Sequence, residues 1–233
     1  MDVRYFLKQR TSFIRFFYDE SSRAFRSIQA KIEAKESPFD EPPYSEDPEP
    51  PYLEEWMEAE TGVEVLGQSC VALLSDTLKL YFNTLRERVV GFEFSNDLKR
   101  LQHEQGFVAA NKAALGEIFQ TDWGDCLVRF DVIEQIVLAR NRGQHGSDLV
   151  LLKVRHDSRT LKKYPRPFFA NEDELKVWVD TGEDIDATFA TPSIEITREN
   201  LFAAVAEAEL LADWIEERLD KAWKWGRGHS EQT

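Results

Sequence analysis

Apolar positions recur every three or four residues over long stretches of the chain, which is the spacing of amphipathic helices. The spacing predicts a first long helix over residues 2–35 and a second helix from Tyr52 to about Val90, with a flexure at Gly62 or Gly67. Cys70 falls among the apolar positions of the second helix, so we expect a buried small side chain there. In the first helix the apolar positions with this spacing are Tyr5, Phe6, Phe13, Ile14, Phe17, Phe25, Ile28 and Ile32.

The second half of the chain continues the helical pattern after a turn. A weaker helix is predicted over residues 95–120, the sequence TDWGDC predicts a turn, and a fourth helix is predicted from Leu127 to about Arg142. Thr197 is a favourable N-cap for a long last helix, with Glu199 in its first turn. We therefore expect a mainly α protein.

Two segments interrupt the helical pattern. Six of the nine prolines fall between Pro38 and Pro51 among acidic residues, so residues 37–51 are predicted to form an extended loop, either a spacer or a recognition segment. Residues 148–193 alternate β-prone pieces such as LVLLKV and RPFFA with polar turns, which predicts a small β-containing insertion before the last helix. Apart from these segments, residues 1–233 are expected to form a single helical domain.

Composition limits the class of protein. The 233 residues are 42% hydrophobic, which is enough for a sizeable core, and the two cysteines are too far apart in sequence to suggest a disulfide framework. The N-terminus MDVRYFLKQR is charged where a signal peptide is apolar, and no run approaches the roughly 20 apolar residues that span a bilayer. We expect a cytoplasmic protein that does not enter membranes.

The net charge of −14 argues against general affinity for nucleic acid, but the charge is unevenly distributed. Residues 138–167 carry eight basic side chains and two acidic ones, a net +6, so the rest of the chain carries −20. This segment is either a solvated face or a track for an RNA backbone. Besides Arg140, its basic residues are Arg142, Lys153, Arg155, Arg159, Lys162, Lys163 and Arg166.

The sequence LARNRGQHG, residues 138–146, begins this basic segment and brings Arg140, Asn141 and His145 close together in sequence. On a continuous helix Arg140 and His145 would lie roughly 140° apart. Gly143 allows the chain to leave the helix after Arg142 and return His145 toward Arg140. An imidazole transfers protons near neutral pH and a guanidinium holds phosphate, so the residue types suit cleavage of a phosphodiester by the RNA's own 2′-hydroxyl. The alternative is structural, with Arg140 in an ion pair and His145 at a helix cap.

The sequence IEQIVLARNRGQHG resembles the HEPN superfamily, in which a helix ends in Arg, a polar residue that is often Asn, a few further residues and His. The resemblance implies an antiparallel helical bundle that forms a homodimer. In many members it implies a metal-independent endoribonuclease of a toxin–antitoxin or phage-defence system. Carried over by position, Arg140 would contact phosphate, Asn141 would orient or polarise, and His145 would be the acid and base.

This chain departs from the closest motifs of the family. Gly143 and Gln144 stand where many members have an apolar pair, and Ser147 stands where the nucleotidylated toxins have tyrosine. The resemblance therefore leaves regulation by tyrosine modification in doubt.

Two functions from different classes follow from these observations. The first is a HEPN-type endoribonuclease that cleaves RNA by 2′-hydroxyl attack, which the +6 segment favours. The second is a catalytically silent HEPN-type module that binds a protein or nucleotide partner, an antitoxin for example, which the acidic remainder favours. No metal or cofactor is predicted for either function, because His103, His156 and His229 have no metal-ligand spacing and no glycine-rich phosphate loop occurs.

Overall fold

The computed structural model describes residues 2–42, 44, 48–144, 153–181 and 191–222, and these residues are mainly helical. The predicted mainly α fold and helical bundle are confirmed for these residues. The long helices are α1 (Val3–Ala34), α2 (Leu53–Thr84), α5 (Phe130–Gln144) and α8 (Arg198–Glu216). The shorter elements are a π-helix (Leu85–Val90) that directly follows α2, and α3 (Asn96–Gln105), α4 (Phe107–Phe119), α6 (Ser158–Lys163) and α7 (Glu172–Thr181).

The predicted helix over residues 2–35 is confirmed as α1, but of the apolar positions that predicted it only some face the core, Ile14 among them. Tyr5, Phe6 and Phe13 are each more than half exposed. The buried positions also recur every three or four residues, and they include the polar residues Thr11 and Ser22. They are Val3, Leu7, Thr11, Ile14, Tyr18 and Ser22.

The second predicted helix is confirmed as α2 and the π-helix, without a break at either glycine. The helix is continuous through both glycines, and both have a packing role. A Cβ atom at Gly62 would lie 2.5 Å from the Phe25 ring, and one at Gly67 would lie 2.8 Å from the Cβ of Ile196. Cys70 is fully buried as predicted, and burial raises the pKa of its thiol to about 12.

The predicted helix over residues 95–120 is two helices. Gly106 adopts φ +95, a conformation that side-chain-bearing residues rarely take, and it ends α3 directly before α4. Phe94, Ala110 and Ala114 form a small buried cluster where these two helices pack. The backbone turns at residues 121–126, as predicted for TDWGDC.

The chain divides into two compact units, and several helices contribute residues to both. Unit 1 is drawn from Met1–Ser12, Leu73–Leu138 and Phe202–Thr233, and unit 2 from Phe13–Ala72 and Ala139–Leu201. In unit 1 the rings of Trp123 and Trp214 stack at 4.4 Å, with the Arg218 guanidinium 3.8 Å from the Trp214 ring.

A polar contact joins α1 and α8 within unit 2. The Arg198 guanidinium donates two hydrogen bonds to the Asp19 carboxylate, at 2.7 and 3.0 Å. These bonds hold the pKa of Asp19 below its usual range. Thr197 caps α8 as predicted, because its hydroxyl accepts the Asn200 backbone N–H at 3.2 Å.

The proline-rich loop is closed by aromatic and hydrogen-bonding contacts within unit 2. The rings of Phe39 and Tyr52 meet edge to face at 5.0 Å, and the Tyr52 hydroxyl donates to the Glu41 carbonyl at 2.7 Å. Tyr44 is almost fully exposed. Within the described residues the loop forms no helix or strand, as predicted.

The described part of the insertion contains little β structure. It has one isolated antiparallel bridge between Arg155 and Ser193, together with α6 and α7. RPFFA, at residues 166–170, forms bends in which the Phe169 side chain is buried and Pro167 provides no N–H for a ladder. Residues 149–152, the first four of LVLLKV, lie outside the described residues.

None of the described helices is long and apolar enough to cross a membrane.

Candidate functional site

Arg140 lies one turn before the C-terminal end of α5, where the helix passes from buried to exposed positions. Ile133, Ile136 and Ala139 are buried at three-residue steps, and the Arg140 side chain that follows them is half-buried. The helix continues through Gly143 to Gln144, so the predicted exit after Arg142 is wrong. His145 lies outside the described residues.

The Arg140 side chain lines a cleft of about 200 Å³ in unit 2. Gly143 and Gln144 lie one turn further along α5 and line the same cleft, because residues three and four apart share a helix face. The opposite wall is a face of α2 with the same spacing, and residues before α8 complete it. These lining residues are Val65, Gln68, Ser69, Ala72, Ile194 and Ile196.

Gly143 faces α2 at the cleft. A Cβ atom at this position would lie 3.7 Å from Oε1 of Gln68, an ordinary contact distance. The Ser69 hydroxyl is used within α2, since it donates to the Val65 carbonyl at 2.8 Å. The Gln68 carboxamide makes no hydrogen bond to a described residue, so it remains available to a ligand in the cleft.

Asn141 is exposed and contacts the neighbouring arginine. Nη1 of Arg140 donates to Oδ1 of Asn141 at 3.3 Å, a long hydrogen bond. An asparagine oxygen in this position restrains the guanidinium orientation without neutralising its charge. The structure therefore brings together two of the three predicted catalytic residues.

Three of the predicted RNA-binding cations have internal partners. Nε of Arg142 donates to the Arg155 carbonyl at 3.1 Å and lies 3.9 Å from the Asp157 carboxylate. Nζ of Lys153 lies 3.1 Å from Oε1 of Glu64, and this hydrogen bond raises the pKa of the lysine. These contacts join the insertion to α5 and α2.

Arg155 is the third of these cations and holds the two ends of the insertion. Its guanidinium donates to the Thr191 carbonyl and lies 3.3 Å from Oε2 of Glu174. The same Glu174 oxygen accepts the Ser193 backbone N–H at 2.7 Å. Arg155 therefore has a clear structural role beside the bridge to Ser193.

The other four predicted cations lie on the surface, on and just after α6. Asp157 begins this helix by accepting the Thr160 backbone N–H at 2.6 Å, so the basic residues of α6 follow in its exposed turns. Arg159, Lys162, Lys163 and Arg166 are all exposed. Three of the seven predicted RNA-binding cations therefore have partners within the fold, and the other four lie on and just after α6.

His156 is buried within the insertion. Its Nε2 lies 2.7 Å from the Phe169 carbonyl oxygen, so this nitrogen carries the proton and donates. Burial lowers the pKa of His156, and it outweighs the opposite effect of that carbonyl. No group of three His, Cys, Asp or Glu side chains suited to a metal ion occurs in the described part of the chain.

Sequence reasoning missed Gln68, the one polar side chain of α2 that lines the cleft with a free carboxamide. The available signal was a polar pair, Gln68 and Ser69, between the apolar positions Leu66 and Cys70. Nothing in the sequence indicates that this pair lies opposite Gly143.

Compared with family models, curated proteins and solved structures, the chain shows no significant match.

Proposed function

We propose that this protein is a metal-independent endoribonuclease of the HEPN type, with its helices in the antiparallel arrangement of that superfamily. The observation that carries the proposal is the placement of Arg140 and Asn141 at the end of α5, with Arg140 lining a cleft shared with Gln68. A guanidinium in a half-buried cleft binds a phosphate more strongly than one in open water, because charge–charge attraction rises as the dielectric falls.

In the proposed reaction the 2′-hydroxyl of the RNA attacks the adjacent phosphorus and the 5′-oxygen of the next nucleotide leaves. Arg140 stabilises the charge that accumulates on the phosphate oxygens, and Asn141 holds the guanidinium in orientation. His145 takes the 2′-hydroxyl proton or returns a proton to the leaving oxygen. The products are a 2′,3′-cyclic phosphate and a 5′-hydroxyl.

One Arg140/His145 set provides a single acid or base, whereas the reaction needs a proton acceptor and a proton donor. We therefore propose a two-fold homodimer that brings two sets to one substrate. The exposed cations Arg159, Lys162, Lys163 and Arg166 bind the RNA backbone in this proposal, and Arg142, Lys153 and Arg155 hold the insertion that presents them. A cytoplasmic toxin–antitoxin or phage-defence system is the setting that fits such an enzyme.

The test is incubation of the purified protein with RNA in EDTA. We expect Arg140→Ala to reduce cleavage by about 10²–10³-fold and His145→Ala by about 10²–10⁴-fold, with unchanged circular dichroism. Matched controls are Arg100→Ala and His103→Ala, two exposed residues of α3. Equal activity of Arg140→Ala and Arg100→Ala would contradict the proposal.

A catalytically silent module that binds a protein or nucleotide partner is the second candidate. It is favoured by the internal contacts of Arg142, Lys153 and Arg155, which reduce the cationic surface available to RNA in a chain of net charge −14. For this function, wild-type protein would fold normally and leave RNA intact in EDTA at every pH between about 6 and 8.

A further inference from the structure

A second cleft, of about 250 Å³, lies within unit 1 between the first turns of α1 and the C-terminal half of α2. Its apolar wall comes from both helices and its rim carries two arginines, Arg10 on α1 and Arg88 in the π-helix. The residues that form the apolar wall are Val3, Phe6, Leu7 and Leu80.

Arg10 and Arg88 differ from the other described arginines of unit 1 in having no counter-ion. Five arginines of this unit are paired with carboxylates, whereas Arg10 and Arg88 make no ion pair or hydrogen bond with any described residue. Two unpaired guanidiniums at one cleft form a local positive site on an acidic protein. The paired arginines are Arg4 with Asp213, Arg86 with Glu87, Arg100 with Asp97, Arg129 with Asp131 and Arg218 with Asp125.

The remaining lining adds an apolar surface and a hydroxyl. Phe6 is 53% exposed and Leu80 is 48% exposed, so both present large apolar areas to a ligand. Thr84 also lines the cleft, and its hydroxyl forms no capping hydrogen bond to the π-helix. The cleft is slightly smaller than the usual range for drug-sized ligands, which begins at about 300 Å³.

We propose that this cleft binds a small organic phosphate, with the phosphate between Arg10 and Arg88 and a short apolar body against Phe6 and Leu80. Guanidinium forks match phosphate oxygens, and the Thr84 hydroxyl provides a third donor on the same rim. The apolar wall gives the site a preference for a phosphate ester over the free ion. This site belongs to unit 1 and does not depend on the ribonuclease proposal.

The test uses phenyl phosphate as the probe and isothermal titration calorimetry on the full chain. Arg10→Gln and Arg88→Gln each remove a charge-assisted hydrogen-bonding group, so we expect each to weaken binding about tenfold. The matched control is Arg100→Gln, because Arg100 is an exposed arginine of the same unit that is already paired. Both test positions are exposed and make no contacts that the fold requires, so the variants are expected to fold normally.

Three results would each overturn the proposal. The first is absence of phenyl phosphate binding at millimolar concentration, and the second is equal losses in Arg100→Gln and Arg10→Gln. The third is inorganic phosphate binding as tightly as phenyl phosphate, which would show that the apolar wall contributes nothing. Binding of phenyl phosphate that weakens in Arg10→Gln and Arg88→Gln, and is also weakened by Leu80→Asn, would support the site as described.

Discussion

Replacement of Gly67 by alanine tests the contact between α2 and the segment before α8. The added Cβ atom would lie 2.8 Å from the Cβ of Ile196 and 2.9 Å from its carbonyl oxygen. Carbon atoms in favourable contact are about 3.5–4.0 Å apart, so one of the two segments has to move. The neighbours are a branch point and a backbone atom, which cannot move aside by rotation of a side chain.

The expected effect is the difference between two opposing contributions. Alanine favours a helix over glycine by about 1 kcal/mol, whereas forcing a methyl group into a packed contact costs about 1–3 kcal/mol. Because the contact at Gly67 involves backbone, we expect the upper part of that range. Gly67→Ala should therefore lower the free energy of unfolding by about 1–2 kcal/mol.

Gly143→Ala is the matched control, since it makes the same substitution in a helix of the same unit. Its Cβ atom would lie at an ordinary 3.7 Å from Oε1 of Gln68. With no steric cost, the helix preference of alanine should raise the free energy of unfolding by up to about 1 kcal/mol. The two variants are thus expected to change stability in opposite directions.

The assay is urea unfolding followed by circular dichroism at 222 nm, the helical signal, with the midpoint compared at constant slope. A Gly67→Ala variant as stable as wild type would refute the close contact with Ile196. A Gly143→Ala variant destabilised by about 1 kcal/mol or more would refute the helical conformation at Gly143 and restore the helix exit after Arg142.

Two further predictions concern pH and salt. Burial lowers the pKa of His156 below its value in the unfolded chain. The stabilising contribution of His156 is therefore complete above about pH 6.5 and is lost as the pH falls toward the folded-state pKa. The difference in unfolding free energy between wild type and His156→Gln should shrink from about pH 7.5 to about pH 5, and a constant difference would contradict the burial of His156. Lys162→Glu with Lys163→Glu should reduce the slope of log binding constant against log salt for RNA by about two, whereas Lys176→Glu, an exposed lysine of α7 paired with Asp173, should leave it unchanged. An unchanged slope in the double variant would mean that these lysines are only a solvated face.

The positions of the helices could be predicted from the sequence because the three- and four-residue spacing of apolar residues indicates a helix directly. The buried face of α1 did not, because the aromatic residues Tyr5, Phe6 and Phe13 follow the helical period as well as the buried stripe does. Thr11 and Ser22 occupy buried positions, and polarity gave no sign of this. Burial is decided by which neighbouring element packs on the helix, which a local pattern does not contain.

The glycines also show what a local sequence pattern cannot predict. A flexure was predicted at Gly62 or Gly67, and the structure shows that both lie where another chain segment comes close. Gly143 was predicted to end a helix, but it continues one. Gly91 and Gly106 do end helices, the π-helix and α3, and both adopt positive φ. The conformational freedom of glycine allows a bend, a helix end or a close contact with another segment, and the tertiary packing determines which of these occurs.

In the candidate site, the sequence motif singled out Arg140 and Asn141 as candidate residues. It did not predict the ion-pair partners of the basic segment. Lys153 and Arg155 have the same composition signal as Lys162 and Arg166, although the first two form ion pairs and the other two make none with a described residue. The carboxylates that separate them, Glu64 and Glu174, lie far away in sequence. Such long-range pairs are set by the tertiary fold.

The most direct test of the ribonuclease proposal is the chemistry of the cleaved ends. Wild-type protein in EDTA is incubated with an end-labelled RNA and with the same RNA carrying 2′-O-methyl groups, and the products are analysed by mass spectrometry. Attack by the 2′-hydroxyl predicts a 2′,3′-cyclic phosphate from the first RNA and no cleavage of the second. Cleavage of the methylated RNA, or linear phosphate ends with no cyclic product at any time, would contradict the account.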